Sequence, residues 1–185
     1  NADGSFSYTP PANYAGADGF SYGISNAGGS SSTTVTLNVS NALPVADLNG
    51  GAAGIDFGPA SFTEGGGAVA IVDNANLTVT DADSTQLASA TVTITNLLDG
   101  ATESLAVTPS GAILAGDIVY TAGTGTLTIT RLTTLADYQA VLRTLVYNNS
   151  SANPTTTQRD LSVAVFDQIG SNSPLAHALV DIAAA

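Results

Sequence analysis

The chain has 185 residues and a formal net charge of −12, and three arginines (Arg131, Arg143 and Arg159) are its whole basic complement. Clustered Lys and Arg are the means of gripping phosphates or an anionic lipid surface, so this composition argues against nucleic-acid and membrane-surface partners and in favour of cations. There is no cysteine for a disulfide or a thiolate metal site, and no apolar run approaches the roughly 20 residues that cross a bilayer.

The predicted elements, in chain order, are nearly all strands. GFSYGIS sets Phe20, Tyr22 and Ile24 on one side, and STTVTLNV does the same with Val35, Leu37 and Val39. LTVT follows with Leu77 and Val79, then ATVTITNL with Ala90, Val92 and Ile94. GTLTIT aligns Leu127 and Ile129. TTLADYQAVL breaks the alternation: Leu135, Tyr138, Val141 and Leu142 have helical spacing, and Thr134 with Asp137 forms a capping-box pattern. One short helix near 134–142 is therefore expected, running into the strand RTLVYNN. LSVAVFD brings Leu161, Val163 and Val165 to one face, and LAHALVDI alternates Ala176, Ala178, Val180 and Ile182 inward. Turn signals separate these runs at Asp99-Gly100, Ser110-Gly111, Gly123-Thr124-Gly125 and Ile169-Gly170. Polar Thr alternating with Val and Ile indicates sheets with one dry and one wet face, and the many short strands indicate an all-β sandwich.

An internal repeat sets the expected domain organisation. Gly19–Val39 corresponds without gaps to Asp160–Val180, so that Phe20, Tyr22 and Ile24 fall on Leu161, Val163 and Val165. The same closing hairpin then occurs twice, and two modules end in the chain. The first occupies 1–43 and the second 44–185. The first is too short for the seven or so strands of a sandwich, so its missing strands are expected from elsewhere. The absence of Met and the start at Asn1 suggest a processed chain or an excerpt.

The residues also carry a resemblance. DGSF, Tyr-Thr-Pro, Asn-Tyr-x-Gly, Asp-Gly-Phe-x-Tyr and a Gly/Ser hairpin (Asp3 to Val39) resemble the second half of the bacterial Ig-like and cadherin-like tandem repeats of large secreted adhesins of the RTX type. Residues Phe62 to Ile94, with an early Glu-Gly, a Val-Thr-Asp-Ala-Asp segment (Val79 to Asp83) and a Val-x-Ile strand, are similar to a cadherin-type repeat, as is the late VAVFDQIGSNS. The resemblance implies Ig-like or cadherin-like β-sandwich modules in tandem, located outside the cell or on its surface. It also implies a structural and adhesive role. Partners would be neighbouring repeats or identical subunits arranged head to tail, and a cell-surface or glycan receptor.

Candidate ligands follow from the acids. Asp81 and Asp83 stand one residue apart, and in an extended segment such residues point the same way. No Lys or Arg lies nearby in sequence to neutralise them. Ca2+, which takes about six to eight oxygen ligands, is one answer; a solvated turn in which Asp81 caps backbone N–H groups is the other. The resemblance adds Glu64 and Asp167 to the metal set, and Asp47 and Asn49 in the linker are candidates to complete it. Asp18, Asp56, Asp73, Asp99 and Asp117 read as turn or surface residues.

Catalysis finds little support. His177 is the sole histidine and is expected to face outward, and no nucleophile motif is present. Tyrosines could stack on sugars, which makes an accessory carbohydrate-binding module of a secreted enzyme the alternative. Tyr22 and Tyr147, however, are expected in core strands.

Overall fold

The computed structural model describes residues 5–11 and 14–185; the expected Asp3-Gly4 turn and Asn13 lie outside the described residues. The chain forms two compact units, Asn1–Ala42 and Leu43–Ala185. Strands dominate and one short helix is present, which is the all-β architecture expected from the alternation. No helix among the described residues is long and apolar enough to cross a membrane.

The first unit is built on a hairpin. Strand β1 (Gly16–Asn26) pairs antiparallel with β2 (Gly29–Val39), from Gly16 opposite Val39 to Asn26 opposite Gly29. The Asn26 side chain closes the turn by accepting the Gly28 N–H at 2.8 Å. Strand alternation gives the ribbon two unlike faces. One carries Phe20 opposite Val35, with Tyr22 and Ile24 farther along; the other carries Ser21, whose hydroxyl lies 3.0 Å from that of Thr34. Phe6 stacks edge-on against Phe20 with ring centroids 5.0 Å apart, and the Tyr8 hydroxyl donates to Asp18. Tyr22 is nevertheless 53% exposed and Ile24 68%. Tyr22 was expected in a core and is not in one, because among the described residues no second layer covers that end of the ribbon's apolar face.

The second unit packs two layers. The larger sheet has the order β4-β13-β12-β7-β10-β9, formed by β4 (Phe57–Thr63), β7 (Gln86–Ile94), β9 (Ile118–Thr121), β10 (Thr126–Thr134), β12 (Arg159–Phe166) and β13 (Ala176–Ala183). A three-stranded sheet joins β5 (Val69–Ala70), β11 (Val146–Asn149) and β8 (Glu103–Ala106), and a short pair joins β3 (Val45–Asp47) to β6 (Thr78–Thr80). Leu77, Leu87, Val92, Ile129, Tyr147, Leu161 and Val163 are fully buried, and each is one of the inward members of its alternating run. Burying a side chain of this size contributes about 1.5–3 kcal/mol.

All pairings in the larger sheet are antiparallel except β13 with β4, which is parallel. Pro59 is tolerated in β4 because that strand is a sheet edge and Pro59 falls where its pairing with β13 is interrupted. Gly58 is required there. Its φ is +111°, and a Cβ would stand 2.6 Å from the Leu179 carbonyl oxygen, where the β13–β4 register shifts.

The helix α1 (Leu135–Leu142) begins where the capping pattern put it. The Thr134 hydroxyl accepts the Asp137 N–H at 3.1 Å, and the Asp137 carboxylate accepts the Thr134 hydroxyl at 2.9 Å. The helix buries Tyr138, Val141 and Leu142. A bulge in β10 between Thr130 and Thr133 interrupts its ladder to β7. Tyr138 repairs the interruption: its hydroxyl donates to the Arg131 carbonyl at 2.6 Å and accepts the Arg131 N–H at 3.2 Å.

The hairpin of the first unit recurs as β12 and β13, with one difference. Phe20 pairs with Val35, but its counterpart Leu161 pairs with Ala178 rather than Ala176. A shift of two residues leaves every side chain on its original face, so the repeat keeps its inward and outward sets.

Candidate functional site

The β6–β7 connection carries the Asp81–Asp83 pair. Leu77 and Val79 point inward, and Asp81 continues their phase, so its carboxylate is delivered to the rim of the core rather than to open solvent. Asp81 Oδ1 accepts the N–H groups of Asp83 at 3.1 Å and Ser84 at 3.2 Å. That half of the carboxylate does what an Asp in a turn commonly does. The other half is different: Asp81 Oδ2 is buried and has no hydrogen-bond partner. Asp83 Oδ1 is buried beside it. Burial first, and then the neighbouring Asp83 carboxylate, push the Asp81 carboxyl above the usual range. Ser84 locks the turn, its hydroxyl donating to the Gln86 carbonyl at 2.7 Å and accepting the Gln86 N–H at 3.1 Å.

The other expected ligands are distributed differently. Asp167, 1% exposed, follows β12 at the same end of the sheet, where Gln168 Nε2 donates to Gln86 Oε1 at 2.9 Å. Its Oδ1 accepts the N–H groups of Ile169 at 3.0 Å and Ser171 at 2.8 Å, which holds the following turn. Asp47 stands opposite Thr78, so it lies about 10 Å along the strand from Asp81 at ~3.3 Å per residue. Its Oδ1 accepts Asn49 and Gly50 N–H groups at 3.1 and 2.9 Å. Asn49 in turn donates to the carbonyls of Gly54 and Asp56 at 3.2 and 2.8 Å. These two residues organise their own loop.

Glu64 does not join the pair. It follows β4, whose end lies beside the end of β13, with Thr63 opposite Ala183, and its Oε2 accepts the Ala185 N–H at 3.1 Å. Asp167 lies beyond the Val163–Ala176 pairing, at the start of β13. Glu64 and Asp167 therefore occupy opposite ends of the sheet, on the order of 30 Å apart at ~3.3 Å per residue. Among the described residues, no group of three or more His, Cys, Asp or Glu side chains is gathered as a metal site. The donor chemistry still fits a hard cation at Asp81 and Asp83, which offer an unpartnered buried oxygen and two carboxylates. Calcium bound there would take its remaining ligands from backbone carbonyls and water.

A second polar cluster had no motif to announce it. Arg159 and Glu103 are both fully buried. Arg159 Nε bonds Glu103 Oε1, and Nη2 reaches Asp99 Oδ2 at 2.7 Å. The Tyr147 hydroxyl donates to Glu103 Oε1 at 2.7 Å, Asn149 Nδ2 to Asp99 Oδ2 at 2.7 Å, and the Thr155 hydroxyl to Asp99 Oδ1 at 2.6 Å. Burial alone would raise the Asp99 carboxyl, but Thr155, Asn149 and Arg159 outweigh it and hold it below the usual range. The Tyr147 hydroxyl is pushed well up by burial and then by its bond to Glu103. Asp99, expected as a turn or surface residue, is thus the rim of a buried ionic network. The sequence signal was slight: an Arg beginning a strand whose inward set is otherwise apolar, Leu161, Val163 and Val165, in a chain with three basic residues.

His177 lies on the outer face, as its phase in β13 requires. Its Nδ1 is 2.7 Å from Asp160 Oδ1, and its backbone N–H donates to Asp56 at 2.7 Å. The Asp160 hydrogen bond raises the imidazole pKa above its ordinary 6.5.

No curated protein and no solved structure matches the chain. Residues 1–40 match the family model described as a bacterial Ig domain, so that part of the chain is similar to a kind of module that is typically non-enzymatic and often exposed outside the cell.

Proposed function

We propose that the chain is a structural and adhesive segment of a bacterial surface protein or extracellular filament, composed of Ig-like and cadherin-like β modules in tandem. Its first unit is completed by a strand from outside it, and calcium at Asp81 and Asp83 stiffens the second. The observation that carries this reading is the β1–β2 ribbon. It matches a bacterial Ig domain, yet it has no third strand among the described residues and leaves Tyr22 and Ile24 uncovered. A lone two-stranded ribbon is marginally stable in water. Such a unit makes sense as a link in a longer array. The buried, unpartnered Asp81 Oδ2 supports the calcium component.

Amide hydrogen exchange on the whole chain, in calcium and in chelator, tests both components. The β1–β2 amides should exchange at least 100-fold faster than those of β7 and β12. Calcium should slow the amides of 81–86. Slow exchange throughout β1–β2 in the isolated chain removes the completion component, and exchange at 81–86 that ignores calcium removes the metal component.

A further inference from the structure

Strand β6 has a neighbouring strand on one edge only. There β3 pairs with it, Val45 opposite Thr80 and Asp47 opposite Thr78. The backbone groups of alternate strand residues point to the same edge, so Leu77 and Val79 share the other one. The helix α1 meets that edge with side chains. Gln139 Oε1 accepts the Val79 N–H at 3.2 Å, and Arg143 Nε donates to the Leu77 carbonyl at 3.0 Å. Residues four apart lie on one face of a helix, so one acceptor and one donor reach the same edge together. A glutamine side chain ends in an amide, as a peptide unit does.

We infer that Gln139 is a positioning residue for the Asp81 carboxylate, with α1 standing in for the strand that β6 lacks. This rests on the proposed calcium site at Asp81 and Asp83 and names what holds that site in place. Asp81 follows β6 directly, two residues beyond Val79 and in the same phase. Its Oδ1 gathers the N–H groups of Asp83 and Ser84. Those bonds are local: they fix the turn to Asp81, not Asp81 to the body of the unit. A three-residue strand bonded along one edge frays at its end, and that end carries Asp81. The Gln139 bond spans sixty residues of sequence and ties it to a helix whose Tyr138, Val141 and Leu142 are buried. A ligand oxygen held in position before the cation arrives binds it more tightly, because less ordering remains to be done on binding.

Calorimetric titration of the whole chain with calcium chloride tests this in wild type, Gln139→Leu, Gln139→Glu and Thr134→Ala. Gln139→Leu removes the acceptor and should weaken calcium binding about ten-fold, the low end of what groups that orient metal ligands contribute. Gln139→Glu keeps an acceptor oxygen at the same reach. It should recover the wild-type affinity when all chains are measured in about 1 M KCl, which screens its added charge within about 3 Å. Thr134→Ala loosens the start of the same helix; it should lower the melting temperature and leave the affinity unchanged. Equal affinity in wild type and Gln139→Leu overturns the inference and leaves the calcium site standing. So does a failure of Gln139→Glu to recover affinity. A loss in Thr134→Ala as large as that in Gln139→Leu does the same, since α1 would then be a general support. A wild-type chain that binds no calcium overturns the calcium reading, and this inference with it.

Discussion

Arg159 sets its Nη2 2.7 Å from Asp99 Oδ2 across sixty residues of sequence, with the guanidinium side chain wholly buried. Glu103, Tyr147, Asn149 and Thr155 complete the network, so two carboxylates and one guanidinium are satisfied without water. Removing one member strands the others. Arg159→Ala should cost roughly 3–5 kcal/mol, because it leaves Glu103 charged and unpaired in the core. Urea unfolding measures this. A loss below about 1 kcal/mol would show that water replaces the guanidinium freely.

Asp81→Ala combined with Asp83→Ala separates the metal role from the turn role. In chelator the melting temperature should hardly change, because the two like charges removed offset the lost Asp81 turn bonds. In calcium the wild-type chain should gain about 2.7 kcal/mol at a free concentration a hundred times the dissociation constant, and the double variant should gain nothing. Equal destabilisation in both conditions would leave these carboxylates as turn residues.

The His177–Asp160 pair predicts a pH dependence of definite sign. Asp160 raises the folded-state pKa of the imidazole above 6.5. The stabilisation is therefore complete below the unfolded value and is lost as the pH rises through the folded one. Both side chains are 40% exposed, which limits the effect to about 0.2–1 kcal/mol after solvent screening. An NMR titration of His177 should give a midpoint above 6.5 that falls back in Asp160→Asn. The stability difference between wild type and Asp160→Asn should be present at about pH 5.5 and absent at about pH 8. A difference that grew with pH would contradict the pairing.

At the helix start, Asp137 does more than Thr134. Its carboxylate accepts the Thr133 and Thr134 hydroxyls and the Ala112 N–H, and the two hydroxyls hold its carboxyl below the usual range. Thr134→Ala should cost about 1 kcal/mol, the ordinary value of an N-cap. Asp137→Ala should cost more, because it also frees the Ser110-Gly111 turn from the helix. Thermal unfolding of the two variants ranks them, and the reverse order would count against the Asp137 hub.

The sequence by itself determined what depends on neighbours within a few residues. Alternation in Gln86–Ile94, Thr126–Thr130 and Leu161–Val165 set which side chains face inward, since successive strand residues point to opposite faces. Thr134 and Asp137 set the start of the helix because a cap is a contact over three residues. The tight acidic turn at Asp81 to Ser84 was legible for the same reason. Only the tertiary structure decided which strands become neighbours, and that choice placed the site residues. The parallel β13–β4 pairing carried Glu64 to the end of the sheet opposite Asp167. The β3–β6 register left Asp47 beside Thr78 rather than Asp81. Arg159 met Glu103 across fifty-six residues with no local pattern to foretell it. Strand order is fixed by the burial of whole faces against one another, a long-range sum that no short window of sequence contains.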